Sequence, residues 1–246
     1  MTPEILAMLA GIIAVSYAVQ TVTGFGSMVV CVTLGSNLVS IHEMVTLAVP
    51  MSLLQTGYIV FKHREGVDWQ VLLQRVFPWM GAGLLAALIL FQGMEAPWLK
   101  PAFGAMVLVL AARELWRLQA TAEGGPVGAS KAASNIAMAG AGIIHGIYAT
   151  GGPLLVYALG REDLGKHVFR STLTVVWLVF SVVLVAAFGL EGRYQPGVVT
   201  TVLWLIPAVP VGIIAGEWLH DRVEERRFKR LIFGLLMLAS LSLLFA

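Results

Sequence analysis

Two short segments carry residue types suited to holding an anion. They read Thr23-Gly24-Phe25-Gly26-Ser27 and Ala149-Thr150-Gly151-Gly152-Pro153. Each sets glycines and hydroxyl side chains between apolar runs. Glycine permits unusual dihedrals and close backbone approach. A helix starting just after such a break turns its first N–H groups into the gap and carries roughly half a positive charge there. That makes an anion site without Lys or Arg. Gln20 and His145 stand ahead of the two breaks at the same separation of 125 residues. His145 is suited to donating a hydrogen bond to an anion, or to carrying a coupling proton, since free imidazole titrates near pH ~6.5. It is equally suited to a structural bond with a helix-end carbonyl. Thr21, Thr23, Ser27 and Thr150 can cap free N–H groups or donate to ligand oxygens. Tyr17, Tyr148 and Tyr157 either line a cavity or mark an interface, and Gln55 and Trp177 either face it or pack. The candidate substrate site is Gln20, Thr23, Gly24, Phe25, Gly26, Ser27, His145, Tyr148, Thr150, Gly151 and Gly152, with His145 also the candidate coupling residue. No catalytic residue, metal ligand set or cofactor is expected.

The elements that must position these residues belong to a membrane. Only 12% of the 246 residues are charged and 58% are hydrophobic, against roughly 25% charged in soluble domains. Apolar stretches fall at 4–22, 27–39, 44–61, 70–92, 98–119, 132–148, 152–159, 168–190, 197–219 and 228–246. Most reach the roughly 20 residues that span a bilayer. The exceptions, 27–39 and 152–159, are the pieces that follow the glycine breaks. The first residues, MTPEILAMLAG, lack a basic leader and read as a retained first span. The single cysteine, Cys31, argues against thiol-redox carriers, which need pairs. Trp69, Trp79, Trp98, Trp116, Trp204 and Trp218 fall at span ends and read as interface anchors.

The chain repeats itself. Residues 1–119 form a first repeat, 120–131 (ATAEGGPVGASK) a linker, and 132–246 a second repeat. Each repeat has a helix, a glycine break, a short apolar piece and three long spans. Pro78 with Gly83 matches Pro207 with Gly212 at 129, and Phe103-Gly104 matches Phe233-Gly234 at 130. Gly83, Gly104 and Gly212 read as close-packing glycines. If each broken unit enters and leaves on one side, three further crossings invert the second repeat. Thirteen basic residues, from Lys62 and Arg64 to Lys229 and Arg230, then share one face, joined by Arg75 if its span begins near there, while Lys100 and Arg193 take the other. The excess of basic residues marks the cytoplasmic side, so both termini are predicted outside. The fold expected is an all-α polytopic membrane protein of two inverted repeats, each with a broken helical hairpin and three long transmembrane helices.

TGFGSMVV (23–30) and HGIYATGGPLLVYAL (145–159) resemble the two signature repeats of the sulfite exporter TauE/SafE family of membrane permeases, and the likeness extends over nearly the whole chain. Ala149 stands where the second repeat of that family usually has glycine. The resemblance implies a secondary exporter of a small sulfur-containing anion, such as sulfite or sulfoacetate, in a bacterial inner membrane. The anion would be held at convergent half-helix N-termini near the midplane, with alternating access. The alternatives are a passive anion channel and a permease for another small organic anion. Partners expected are the anion and the lipid bilayer, but not nucleic acid; proton or sodium coupling and a homodimer are left open. The absence of HExxH, Gly-x-Gly-Asp and Walker A sequences argues against an intramembrane enzyme or a pump. The scarcity of carboxylates within the spans argues against a cation carrier.

Overall fold

Long apolar runs have one low-cost conformation in lipid. With no water to bond the backbone, each N–H and C=O must be satisfied within its own segment, and the α-helix does this. The computed structural model describes residues 1–23, 26–63, 66–91, 96–119, 131–159, 164, 166–220, 222 and 224–245, and among these it contains helices and no strand. In order they are α1 (Pro3–Thr23), α2 (Ser27–Gly35), α3 (Ile41–His63), α4 (Trp69–Val71), a π-turn (Leu72–Val76) and α5 (Phe77–Leu90). Then follow α6 (Leu99–Gln119), α7 (Lys131–Tyr148), α8 (Gly152–Leu159), α9 (Lys166–Leu190), α10 (Pro196–Leu205), α11 (Ala208–His220) and α12 (Glu225–Leu244). Among the described residues, five stretches are long and apolar enough to cross a bilayer: Pro3–Val22, Ile41–Lys62, Trp69–Leu90, Ser171–Leu190 and Pro196–Leu219. The protein is an all-α polytopic membrane protein.

The ends and interruptions follow local chemistry. α2 has 9 residues and α8 has 8; at about 1.5 Å per residue neither crosses the hydrocarbon. Asn37 terminates α2 by donating from Nδ2 to the carbonyls of Thr33 (2.9 Å) and Leu34 (3.4 Å). The matched prolines both disturb their helices, because proline cannot donate to the preceding turn. Before Pro78 the helix widens into the π-turn, and at Pro207 it breaks between α10 and α11.

The helices form two compact units. One comprises residues 1–51, 95–122 and 194–246, the other residues 52–94 and 123–193. Each therefore takes helices from both halves of the chain. In the first unit α1 lies on α11 and α6 on α12. The core there gathers Leu9, Ile13, Tyr17, Met44, Leu47 and Met51, and the Tyr17 hydroxyl donates to the Ala48 carbonyl (3.4 Å). In the second unit α5 lies on α7 and α7 on α8.

Glycines set how closely these pairs approach. A side chain at Gly212 would meet the Ala14 carbonyl oxygen at 2.4 Å, and one at Gly83 would meet that of Ala139 at 2.0 Å. Backbone is thus packed directly on backbone, as small residues permit in membranes. A second contact recurs with its partners exchanged. Gly216 faces the Cβ of Thr21 at 2.6 Å in the first unit, and Gly146 faces that of Ala87 at 2.5 Å in the second. Thr21 matches Gly146 at 125 and Ala87 matches Gly216 at 129, so the glycine has changed helix while the contact has stayed. Gly104 packs on α12, against Leu243 and the Ser240 carbonyl.

Candidate functional site

The two breaks sit in different units and differ in chemistry. In the first, α1 ends at Thr23 and α2 begins at Ser27. Gly24 and Phe25 lie outside the described residues, as does the side chain of Thr23. Gly26 caps α2 with φ 96 and ψ −1, the left-handed region that strains an L side chain. Nothing stands within 4 Å of where its Cβ would be, so conformation and not space requires glycine. Gln20 and Ser27 are both buried, and the Ser27 hydroxyl donates to the Gln20 Oε1 across the break. Thr21 turns its hydroxyl back to the Tyr17 carbonyl (2.8 Å). The two polar side chains that flank this break therefore satisfy one another.

In the second break α7 ends at Tyr148 and α8 begins at Gly152. Ala149 has φ 54, the one positive φ among the described non-glycine residues. Its N–H still bonds the His145 carbonyl (2.8 Å), so it is the left-handed residue that closes the helix, a place that favours glycine. Gly151, which matches Gly26 at 125, is required for a different reason. Its Cβ would fall 2.2 Å from the Ala141 carbonyl oxygen and 3.0 Å from the His145 Cβ. Here α8 starts against the backbone of α7.

Two polar side chains of this break, His145 and Thr150, are left open. His145 is 3% exposed and Thr150 is 3% exposed, yet neither imidazole nitrogen of His145 nor the hydroxyl of Thr150 has a hydrogen-bond partner. A buried polar group without a partner costs about 1–3 kcal/mol. Such groups are uncommon in native proteins. The matched position in the first break explains the difference. Ser27, which satisfies Gln20, corresponds to Gly152, which has no side chain to offer His145. Tyr148 is also buried.

Aromatic rings complete the surroundings. The imidazole stacks on the Trp177 indole with centroids 5.7 Å apart and lies 6.0 Å from the Phe180 ring. Phe180 in turn meets Phe77 of α5 edge-on at 5.8 Å. Sequence reasoning reached Trp177 as a residue that faces the cavity or packs, and it did not reach Phe180. No sequence signal singled out Phe180. Trp177 is partly exposed, whereas the other six tryptophans are exposed. Tyr17 and Gln55 are buried. Nothing is described of the side chains of Tyr157, His167 and Arg170. No group of three or more His, Cys, Asp or Glu is placed to hold a metal ion among the described residues.

The sequence profile of the sulfite exporter TauE/SafE family matches residues 7–243. The chain belongs to this family. It is also 22% identical over 253 residues, covering 99% of this chain and 96% of its relative, to the "Probable sulfite/organosulfonate exporter TauE" of Cupriavidus necator. No solved structure matches the chain. The resemblance expected from the two glycine segments therefore holds across almost the entire length. Membership places the chain among membrane exporters and agrees with the multi-pass fold.

Proposed function

We propose that the protein is a secondary exporter of a small sulfur-containing oxyanion, sulfite or a short organosulfonate, bound at the second glycine break. The carrying observation is the pair of buried, unpaired groups, the His145 imidazole and the Thr150 hydroxyl, beside the N-terminus of α8. An anion there gains three kinds of favourable contact. The α8 N–H groups and helix dipole favour negative charge, the Thr150 hydroxyl donates, and one imidazole nitrogen donates. A ligand oxygen thereby supplies the partner that the protein withholds. In the sequence repeat Gly26-Ser27 matches Gly151-Gly152. Family membership and the name of the C. necator relative support the substrate class. The repeat organisation supports alternating access, with both termini outside the inner membrane.

The test is counterflow in proteoliposomes with radiolabelled sulfite, sulfate, sulfoacetate and taurine, at several pH values and sodium concentrations. Saturable sulfite or sulfoacetate flux, accelerated by the same anion on the opposite side, is the expected result; flux without such acceleration identifies a passive channel. His145→Ala should reduce flux on the order of tenfold or more, as loss of one hydrogen bond to a charged group implies. Full activity in that variant would remove the second break from the site. If His145 also carries the coupling proton, the alanine variant loses the pH dependence of flux as well.

A further inference from the structure

The open groups of the second break are sheltered unequally. His145 is buried, and so is Phe180, whereas Trp177 and Gly152 are both partly exposed. The Trp177 ring, which stacks on the imidazole, and the start of α8, which follows Thr150, form the partly exposed rim beside these groups. Its width can be read from the missing side chain. A Cβ built on Gly152 would lie 3.6 Å from Trp177 Cζ2 and 3.7 Å from Cη2. One methyl group would thus already be in van der Waals contact with the ring.

Helix α9 is tethered on both sides of Trp177. The Asp68 N–H donates to the Thr172 hydroxyl (3.0 Å), and Ser52 and Ser181 share a hydroxyl–hydroxyl bond (2.8 Å). The four hydroxyl and aspartate residues belong to the same unit as the break. The facing helix is fixed too: the Ser134 hydroxyl donates to the Ala158 carbonyl near the end of α8 (3.2 Å). A large aromatic ring stacked on His145, on a helix tethered five residues before it and four after, makes a poor swinging gate and a good wall.

We propose that Trp177 is the size-determining residue of this site, its ring edge over Gly152 limiting the anion to a compact head with little substituent on that side. The inference rests on the second break being the anion site. It assigns to the site a preference for sulfite and methanesulfonate over sulfonates with bulky tails. The physical basis is the close packing of the rim, where the ring already stands at van der Waals distance from a methyl group on Gly152 and an added group would overpack it.

Competition against radiolabelled sulfite counterflow tests this, with unlabelled methanesulfonate and benzenesulfonate as the two probes. In the unsubstituted protein benzenesulfonate should compete at least about tenfold less well than methanesulfonate, the scale of discrimination a hydrophobic contact gives. Trp177→Ala should bring the two probes together by about tenfold, and Trp177→Phe should shift them the same way by less. Gly152→Ala, which narrows the rim from the opposite side, should move them further apart. The phenylalanine and Gly152→Ala variants carry the comparison should Trp177→Ala fail to insert. A competition ratio within about twofold of the original in every inserted variant, or a Gly152→Ala shift in the same direction as Trp177→Phe, would overturn the wall alone. Absence of saturable sulfite flux in the unsubstituted protein would overturn both the wall and the site on which it rests.

Discussion

Glycine is required at matched positions of the two breaks for different physical reasons, and the difference can be measured. Gly26 sits at φ 96 in open space, whereas Gly151 lies against the Ala141 carbonyl. Asparagine tolerates the left-handed region far better than β-branched residues, so Gly26→Asn should lose less thermal stability in detergent than Gly26→Val. At Gly151 both substitutions should be equally damaging, because each adds a Cβ where none fits; a rescue by asparagine there would contradict the packing. Ala149 makes the complementary case. It occupies a left-handed conformation with a side chain, at a cost of roughly 1–2 kcal/mol. Ala149→Gly should therefore stabilise the folded protein by about 1 kcal/mol, the larger conformational freedom of unfolded glycine offsetting part of the gain. A lower melting temperature in detergent would show that φ 54 is not strained here. The place of Ala149 in the family pattern was legible in the sequence. Its strain was not, because a dihedral depends on how α7 and α8 meet.

At the scale of the elements, helix contact is decided by whether a glycine faces a neighbouring backbone. Gly81 and Gly83 share α5, yet nothing stands within 4 Å of a Cβ at Gly81, while one at Gly83 would reach the Ala139 carbonyl at 2.0 Å. Gly83→Ala should destabilise by about 1–3 kcal/mol through overpacking. Gly81→Ala should be neutral or slightly stabilising, since alanine is the better helix former. Thermal unfolding of the two single variants by the same probe checks the contrast; equal effects would mean that α5 and α7 do not approach as described. The helices themselves were legible because each is a long apolar run, and the short pieces α2 and α8 because glycines and polar residues interrupt the hydropathy. Pairing of α1 with α11 and α5 with α7 was not legible. It joins residues far apart in the chain, Ala14 with Gly212 and Gly83 with Ala139, and hydropathy carries no information about which face meets which. Unpaired His145 was beyond reach for the same reason: its isolation depends on Gly152 lacking a hydroxyl and on two rings from α9.

At the scale of the whole molecule, the distribution of charge bears on orientation. Exposed Arg117 pairs with Glu114 at 3.1 Å and exposed Arg227 with Glu224 at 2.9 Å. The guanidinium of Arg222 lies 4.4 Å over the Trp218 ring. These residues decorate the ends of α6, α11 and α12 that the charge pattern assigns to the cytoplasm. Arg193 pairs with Glu191 in the loop between α9 and α10, on the face with few basic residues. Topology is governed by Lys and Arg in short loops, and counting them favours the arrangement in which α1 with α2, and α7 with α8, each return to the side they left. A small extracellular tag on either terminus should then be labelled by an impermeant reagent in intact cells. Cysteine introduced near Arg193 should label likewise, whereas one near Lys131 should label only after permeabilisation; Cys31 is buried and gives little background. Labelling of one terminus but not the other would mean that a broken pair crosses the membrane instead of returning. The basic loops would then be divided between both faces, against the bias that inserts such proteins.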